Sequence, residues 1–167
     1  ILLIKTAWGG KSLHTDFRSP AAGPYPIRQD QLDAQSKRGK DPKNFARAKI
    51  AATGVFYRKM MKHVRAVLAD PSEVCPAYKK GEGYELKGFV CFQGWNDMVD
   101  RGTYPKRDQE GGYAAYSECM GHFIRDVRKE LDAPSLPFVI GVMGVGGPIR
   151  AEDAKKRRVH ANFRAAM

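Results

Sequence analysis

No stretch of this sequence approaches the roughly 18 consecutive apolar residues that a membrane-spanning helix needs, and no charged-then-apolar leader opens it. Cysteine is scarce. Cys75, Cys91 and Cys119 are too few and too scattered for a disulfide framework or a CxxC metal site, so buried free thiols are the simplest reading. Acidic residues are outnumbered, 18 against 29 Lys and Arg, for a net charge of +11. The excess comes from Lys37 to Lys49, from Arg58, Lys59, Lys62 and Arg65, and from Lys155 to Arg158. Such a balance attracts nucleic acid, anionic polysaccharide or an acidic surface. Basic charge alone is the weakest indicator of nucleic-acid binding, and solvated helix faces account for most such runs. Internal repeats and low-complexity segments are absent as well.

What the sequence does have is a 43% hydrophobic content over 167 residues, enough for one domain with a real core. The run Ile1-Leu2-Leu3-Ile4 reads as a buried strand to about Lys5, entered without any lead-in, as expected of a piece of a longer protein. A loop without sustained period follows from Ala7 to about Asp41, and loops of that length usually carry function or cover a site. Asp41-Pro42 supplies an N-cap and a first-turn proline, opening a predicted helix that runs to about Ala69. Its core stripe is Phe45, Ala48, Ala52, Val55, Phe56, Met60, Val64, Val67 and Leu68, with His63 just off the edge.

Leu86 to Gln93 has strand length and composition, and a long loop, Gly94 to Gly112, separates it from a second helix over about Tyr113 to Leu131. The inner stripe of that helix is Tyr113, Tyr116, Met120, Phe123, Val127 and Leu131, next to which His122 reads as structural. Pro137 to Met143 is the third predicted strand, Gly144 to Pro148 its turn, and Ala151 to Met167 a basic helix. Strands alternating with crossovers of this length imply a parallel α/β layered sheet, whose ligands bind beyond the carboxyl ends of the strands. Those ends are Trp8-Gly9-Gly10, Gln93 to Asp97, and Gly144 to Gly147.

Gly9-Gly10-Lys11-Ser12 resembles the second half of a phosphate-binding P-loop, but Lys5 stands where that motif needs its first glycine. Pro20, Pro24 and Pro26 also disfavour the helix that should follow. A nucleophile elbow fails too, since the second glycine of G-x-S-x-G falls at His14. The block Gln93-Gly94-Trp95-Asn96-Asp97 is more specific. A side-chain amide beside a glycine at a strand end suits an oxyanion hole, against the alternative of an Asn-Asp turn that only caps the next loop.

Taken together, the segment Ile4 to Leu13 with Trp8-Gly9-Gly10, the block Phe92 to Asp97 and the strand Phe138 to Gly144 resemble the sialate O-acetylesterase domain, carbohydrate esterase family 6 of the SGNH hydrolases. The resemblance implies a three-layer, flavodoxin-like parallel sheet flanked by helices, incomplete at both ends. It implies backbone donors to an oxyanion at Gly9 or Gly10 and at Gly94, and a side-chain donor at Asn96, with Gln93 as the alternative. Asp97 would brace the loop at the substrate cleft, and Trp95, with Trp8 or Tyr104, would stack on a sugar, core packing being the competing use of those rings.

Two parts of that family's machinery have no counterpart. Its nucleophilic serine sits on a Gly-x-Ser block at an earlier strand end, and its base comes from an Asp-x-x-His. Here the residues three before His14, His63, His122 and His160 are Lys11, Met60, Cys119 and Arg157. The expectation is therefore one partial domain over 1–167, from a parent that removes acetyl groups from a carbohydrate without metal or organic cofactor and is secreted or periplasmic. The chain alone would be inactive, and its inner strand edges would lack partners. The other class in play is a non-catalytic carbohydrate- or polyanion-binding module built on Lys155 to Arg158.

Overall fold

A computed structural model describes residues 1–148, 153 and 157–167. The chain is a mixed α/β protein with a two-stranded parallel sheet, consistent with part of a flavodoxin-like fold. Strands β1 (Phe89–Cys91) and β2 (Phe138–Ile140) pair Phe89 with Phe138, Val90 with Val139 and Cys91 with Ile140. The rings of Phe89 and Phe138 stack at 4.9 Å across the pair. Between the strands the chain crosses over through α4 (Trp95–Val99) and α5 (Ala114–Glu130), as a parallel pair requires. Three helices precede β1: α1 (Gln29–Lys37), α2 (Pro42–Ala52) and α3 (Val55–Ala69). Helix α6 (Arg158–Ala166) follows β2.

One sheet face and the inner stripes of α3 and α5 share a core of Tyr57, Met60, Met61, Val64, Cys91, Tyr116, Met120, Phe123 and Val127, closed by Phe163 from α6. The thiols of Cys91 and Cys119 lie within it, and burial pushes that of Cys91 up to about 11. Cys75 is only half-buried.

Several expectations are corrected. The helix from Asp41 is two helices. Asp41 caps α2 as predicted, its side chain accepting from the Lys43 N–H at 2.8 Å, but the chain turns at Gly54 with φ +66°. A Cβ there would lie 2.6 Å from the Arg18 carbonyl oxygen. The carbonyls of Thr15 and Asp16 accept from the N–H groups of Gly54 (2.8 Å) and Phe56 (2.9 Å), so a distant loop caps α3 and starts it afresh. Helix α2 buries no residue, and the predicted core stripe begins only with α3.

The irregular stretch from Ala7 to Asp41 contains α1, whose entry is fixed where the Arg28 N–H donates to Gln31 Oε1 at 3.2 Å. Ile1 to Lys5 forms no ladder, because a strand exists only with a hydrogen-bonded neighbour and none is present among the described residues. Leu3 is 86% exposed. The helix expected from Ala151 begins at Arg158, and Lys155 and Lys156 lie outside the described residues.

Candidate active site

The segment after Gly10 doubles back tightly. Ser12 donates from its N–H to Asp16 Oδ2 at 2.9 Å, and the Phe17 N–H returns to the Ser12 carbonyl at 2.9 Å. The turn thus presents the Leu13 and His14 amides toward the interior. Both find one acceptor, the carboxylate of Asp97, at 2.7 Å and 3.0 Å. Asp97 is fully buried and accepts two further bonds, from Tyr104 Oη at 3.0 Å and Gln93 Nε2 at 3.0 Å. Burial raises its carboxyl above the usual carboxylate range, opposed by these four donors.

The segment after Gly10 and the block that follows β1 therefore converge. Both amides of the second block reach the Lys11 carbonyl, one residue beyond Gly10: Asn96 Nδ2 at 3.0 Å and Gln93 Nε2 at 3.1 Å. Their remaining capacity differs. Gln93 commits both amide protons, to Lys11 and to Asp97, and has none left for a ligand, whereas Asn96 commits one.

Gly94 owes its identity to packing. It lies at φ +155°, and an added Cβ would fall 2.7 Å from Phe163 Cε1 and 3.4 Å from the Tyr116 hydroxyl. That hydroxyl donates to the Gln93 carbonyl at 2.8 Å, which fixes the peptide leading into Gly94. On the other segment Gly10 adopts φ +73° with open space beside it, and Gly9 is equally uncrowded. Among the described residues the N–H groups of Gly9, Gly10 and Gly94 donate to nothing.

The aromatic candidates separate by exposure. Trp95 is 53% exposed on the first turn of α4. Trp8 is 39% exposed and leans on Phe56, with ring centroids 5.3 Å apart. Tyr104 is 2% exposed, with His14 and Tyr113 rings against it and its hydroxyl on Asp97, so it offers no face for stacking. Asp97, likewise buried, is a brace that touches protein alone.

His14 is the residue whose part in the site sequence reasoning missed. Its ring lies edge-on to Tyr25 and Tyr104. Desolvation, joined by the charges of Arg18 and Lys49, lowers its pKa to about 4, so it is neutral at pH 7. His122 sits beside Arg125 on α5, and His63 is exposed on α3. Among the described residues no three His, Cys, Asp or Glu side chains gather as a metal site would need. Among the described residues no helix is long and apolar enough to cross a membrane.

A parallel strand pair joined by a helical crossover, with a glycine and a side-chain amide just beyond the carboxyl end of β1, is the α/β arrangement in which enzymes of this class bind their ligands. The family model described as carbohydrate esterase, sialic acid-specific acetylesterase, matches residues 1–166, and the chain belongs to that family. No curated protein and no solved structure matched it.

Proposed function

We propose that this chain supplies the oxyanion hole of an SGNH-type serine esterase that removes acetyl groups from a carbohydrate. The observation that carries the reading is the Asn96 amide held on the Lys11 carbonyl, one residue from Gly10, with one proton uncommitted. The serine nucleophile and the Asp-x-x-His pair, absent from these 167 residues, belong to other segments of the full-length protein.

In this reaction the serine Oγ bonds to the ester carbonyl carbon while the histidine takes its proton. Negative charge moves onto the carbonyl oxygen, where the N–H groups of Gly10 and Gly94 and the free Asn96 amide proton stabilise it. Collapse breaks the carbon–oxygen bond to the sugar, which leaves as an alcohol carrying the histidine's proton. Water then releases acetate from the serine by the same steps. Donors fixed in advance stabilise the developing charge without reorganising as it forms. Asp97 acts one step back, by holding the Leu13 and His14 amides so that the Gly10 peptide keeps its place. Trp95 and Trp8, both part-exposed, flank the site as sugar-stacking surfaces.

The test is turnover of an acetylated sugar by the full-length protein. Removing one such donor costs about 10² to 10³ in kcat, and removing a nucleophile or base on the order of 10⁶. Asn96→Ala should fall in the first range, and the 167-residue chain alone should show no turnover. Unchanged kcat in Asn96→Ala would remove the assigned donor, and a full-length protein that binds sugar without hydrolysis would make this a binding module.

A further inference from the structure

The helices of this chain are anchored unequally. Helix α3 buries Tyr57, Met60, Met61, Val64 and Val67, and α5 buries six side chains. Helix α2 buries none, and α1 only Gln31. Among the regular elements these two pack chiefly on each other, as a hairpin that turns at Gly39 with φ +67°. They have 9 and 11 residues, and helices shorter than about 12 to 15 residues are marginal in water without an apolar face to bury. What holds the hairpin down is polar. Arg28 donates to the carbonyls of Thr103 at 2.9 Å and Gly102 at 2.7 Å, and Gln31 Nε2 donates to the same Gly102 carbonyl at 2.9 Å. At the α2 end, Lys49 Nζ lies over the Tyr25 ring at 4.8 Å. The residue after Thr103 is Tyr104, whose hydroxyl holds Asp97, and Asp97 holds the Leu13 and His14 amides.

We infer that α1 and α2 form a flap, latched by Arg28 and Gln31 on the carbonyls of Gly102 and Thr103, that opens as a unit while the core between α3 and α5 stays folded. Local opening is easiest where few apolar contacts are buried. The flap gives up little beyond its latch, and water replaces such hydrogen bonds at small net cost. Opening stops at Gly54, whose N–H is held by the Thr15 carbonyl at 2.8 Å, so α3 keeps its start. The latch also ties the flap to the candidate active site. Thr103 and Tyr104 are adjacent, so release at Thr103 reaches the Asp97 brace through one peptide and loosens the Leu13–His14 turn that Asp97 holds.

The test is amide hydrogen exchange of the full-length protein, read by mass spectrometry on peptides covering 13–16, 29–52 and 114–130. Protection over 29–52 should be at least about a hundredfold lower than over 114–130. Arg28→Ala should speed exchange over 29–52 at least about tenfold, raise it over 13–16 as well, and leave 114–130 within about twofold of wild type. Arg47→Ala, at an exposed position on α2, should move none of the three beyond about twofold. Equal protection of 29–52 and 114–130, or equal acceleration of all three peptides by Arg28→Ala, would show that the hairpin unfolds only with the core and would overturn the proposal. Acceleration of 29–52 with 13–16 unmoved would overturn the tie to the site. Arg28→Lys, which keeps the charge and can make one of the two bonds, should fall between wild type and Arg28→Ala, which separates a released latch from a misfolded variant. Exchange is measured without turnover, so the flap and the esterase reading fail separately.

Discussion

The first five residues and the four from Leu13 to Asp16 make opposite use of their composition. Ile1 to Lys5 is the most apolar opening a strand could have, yet Ile1 and Leu3 are exposed and no ladder forms. Leu13 to Asp16 carries a histidine, a threonine and an aspartate, yet His14 and Thr15 are 5% exposed. The difference lies in partners. The second segment has acceptors waiting in Asp97, and its own carbonyls cap α3, whereas the first has no neighbouring strand among the described residues. Buried backbone must be hydrogen-bonded, so supply of partners decides burial before hydropathy does.

The contrast breaks most severely at Asp97. Asp97→Ala leaves the Leu13 and His14 amides, the Tyr104 hydroxyl and the Gln93 amide without their acceptor, at a cost of about 4 kcal/mol in urea unfolding. A loss below about 1 kcal/mol would mean that something else holds the second segment down.

His14 sharpens the comparison through pH. Its folded pKa of about 4 lies below the ordinary 6.5, so the fold favours the neutral ring. That stability is complete above pH 6.5 and is lost as the pH falls toward 4, by about 3 kcal/mol in all. Asp97, whose carboxyl burial pushes up, acts in the opposite sense in acid. The histidine's part is therefore read as the difference between wild type and His14→Phe, which should lose less stability between pH 6.5 and 4.

Smaller effects follow at Gly94 and at the exposed sheet face. Gly94→Ala drives a methyl into Phe163 and should cost about 2 kcal/mol, with the fluorescence of the neighbouring Trp95 as a local readout. Val139→Thr, on the exposed face of β2, should stay within about 0.5 kcal/mol of wild type. A larger loss there would show that the open face is covered in solution.

Much of this was readable in advance where the signal is local. The Asp41-Pro42 cap, the stripe of α5 and the apolar strands at Phe89 and Phe138 are set by neighbours in sequence, and each stands where its pattern predicts. The break at Gly54 was not readable, because the apolar period runs unbroken through it and the capping carbonyls, Thr15 and Asp16, lie far upstream. Helix α1 buries little beyond Gln31 and so carries no apolar stripe. At the site the two converging blocks were legible as motifs. That Tyr104 is a buried donor and Trp95 an exposed ring is not, since composition treats both as aromatics. The choice between Gln93 and Asn96 required counting protons against acceptors in three dimensions.

That choice is also where the account is most directly tested. In the full-length protein, kcat on an acetylated sugar should fall about 10² to 10³ in Asn96→Ala with KM little changed, as for a donor acting only on the oxyanion. Gln93→Ala should act through stability instead, leaving kcat per folded molecule within a few-fold of wild type. The reverse ranking, with Gln93→Ala abolishing turnover in a folded protein and Asn96→Ala sparing it, would contradict the assignment of the oxyanion donor.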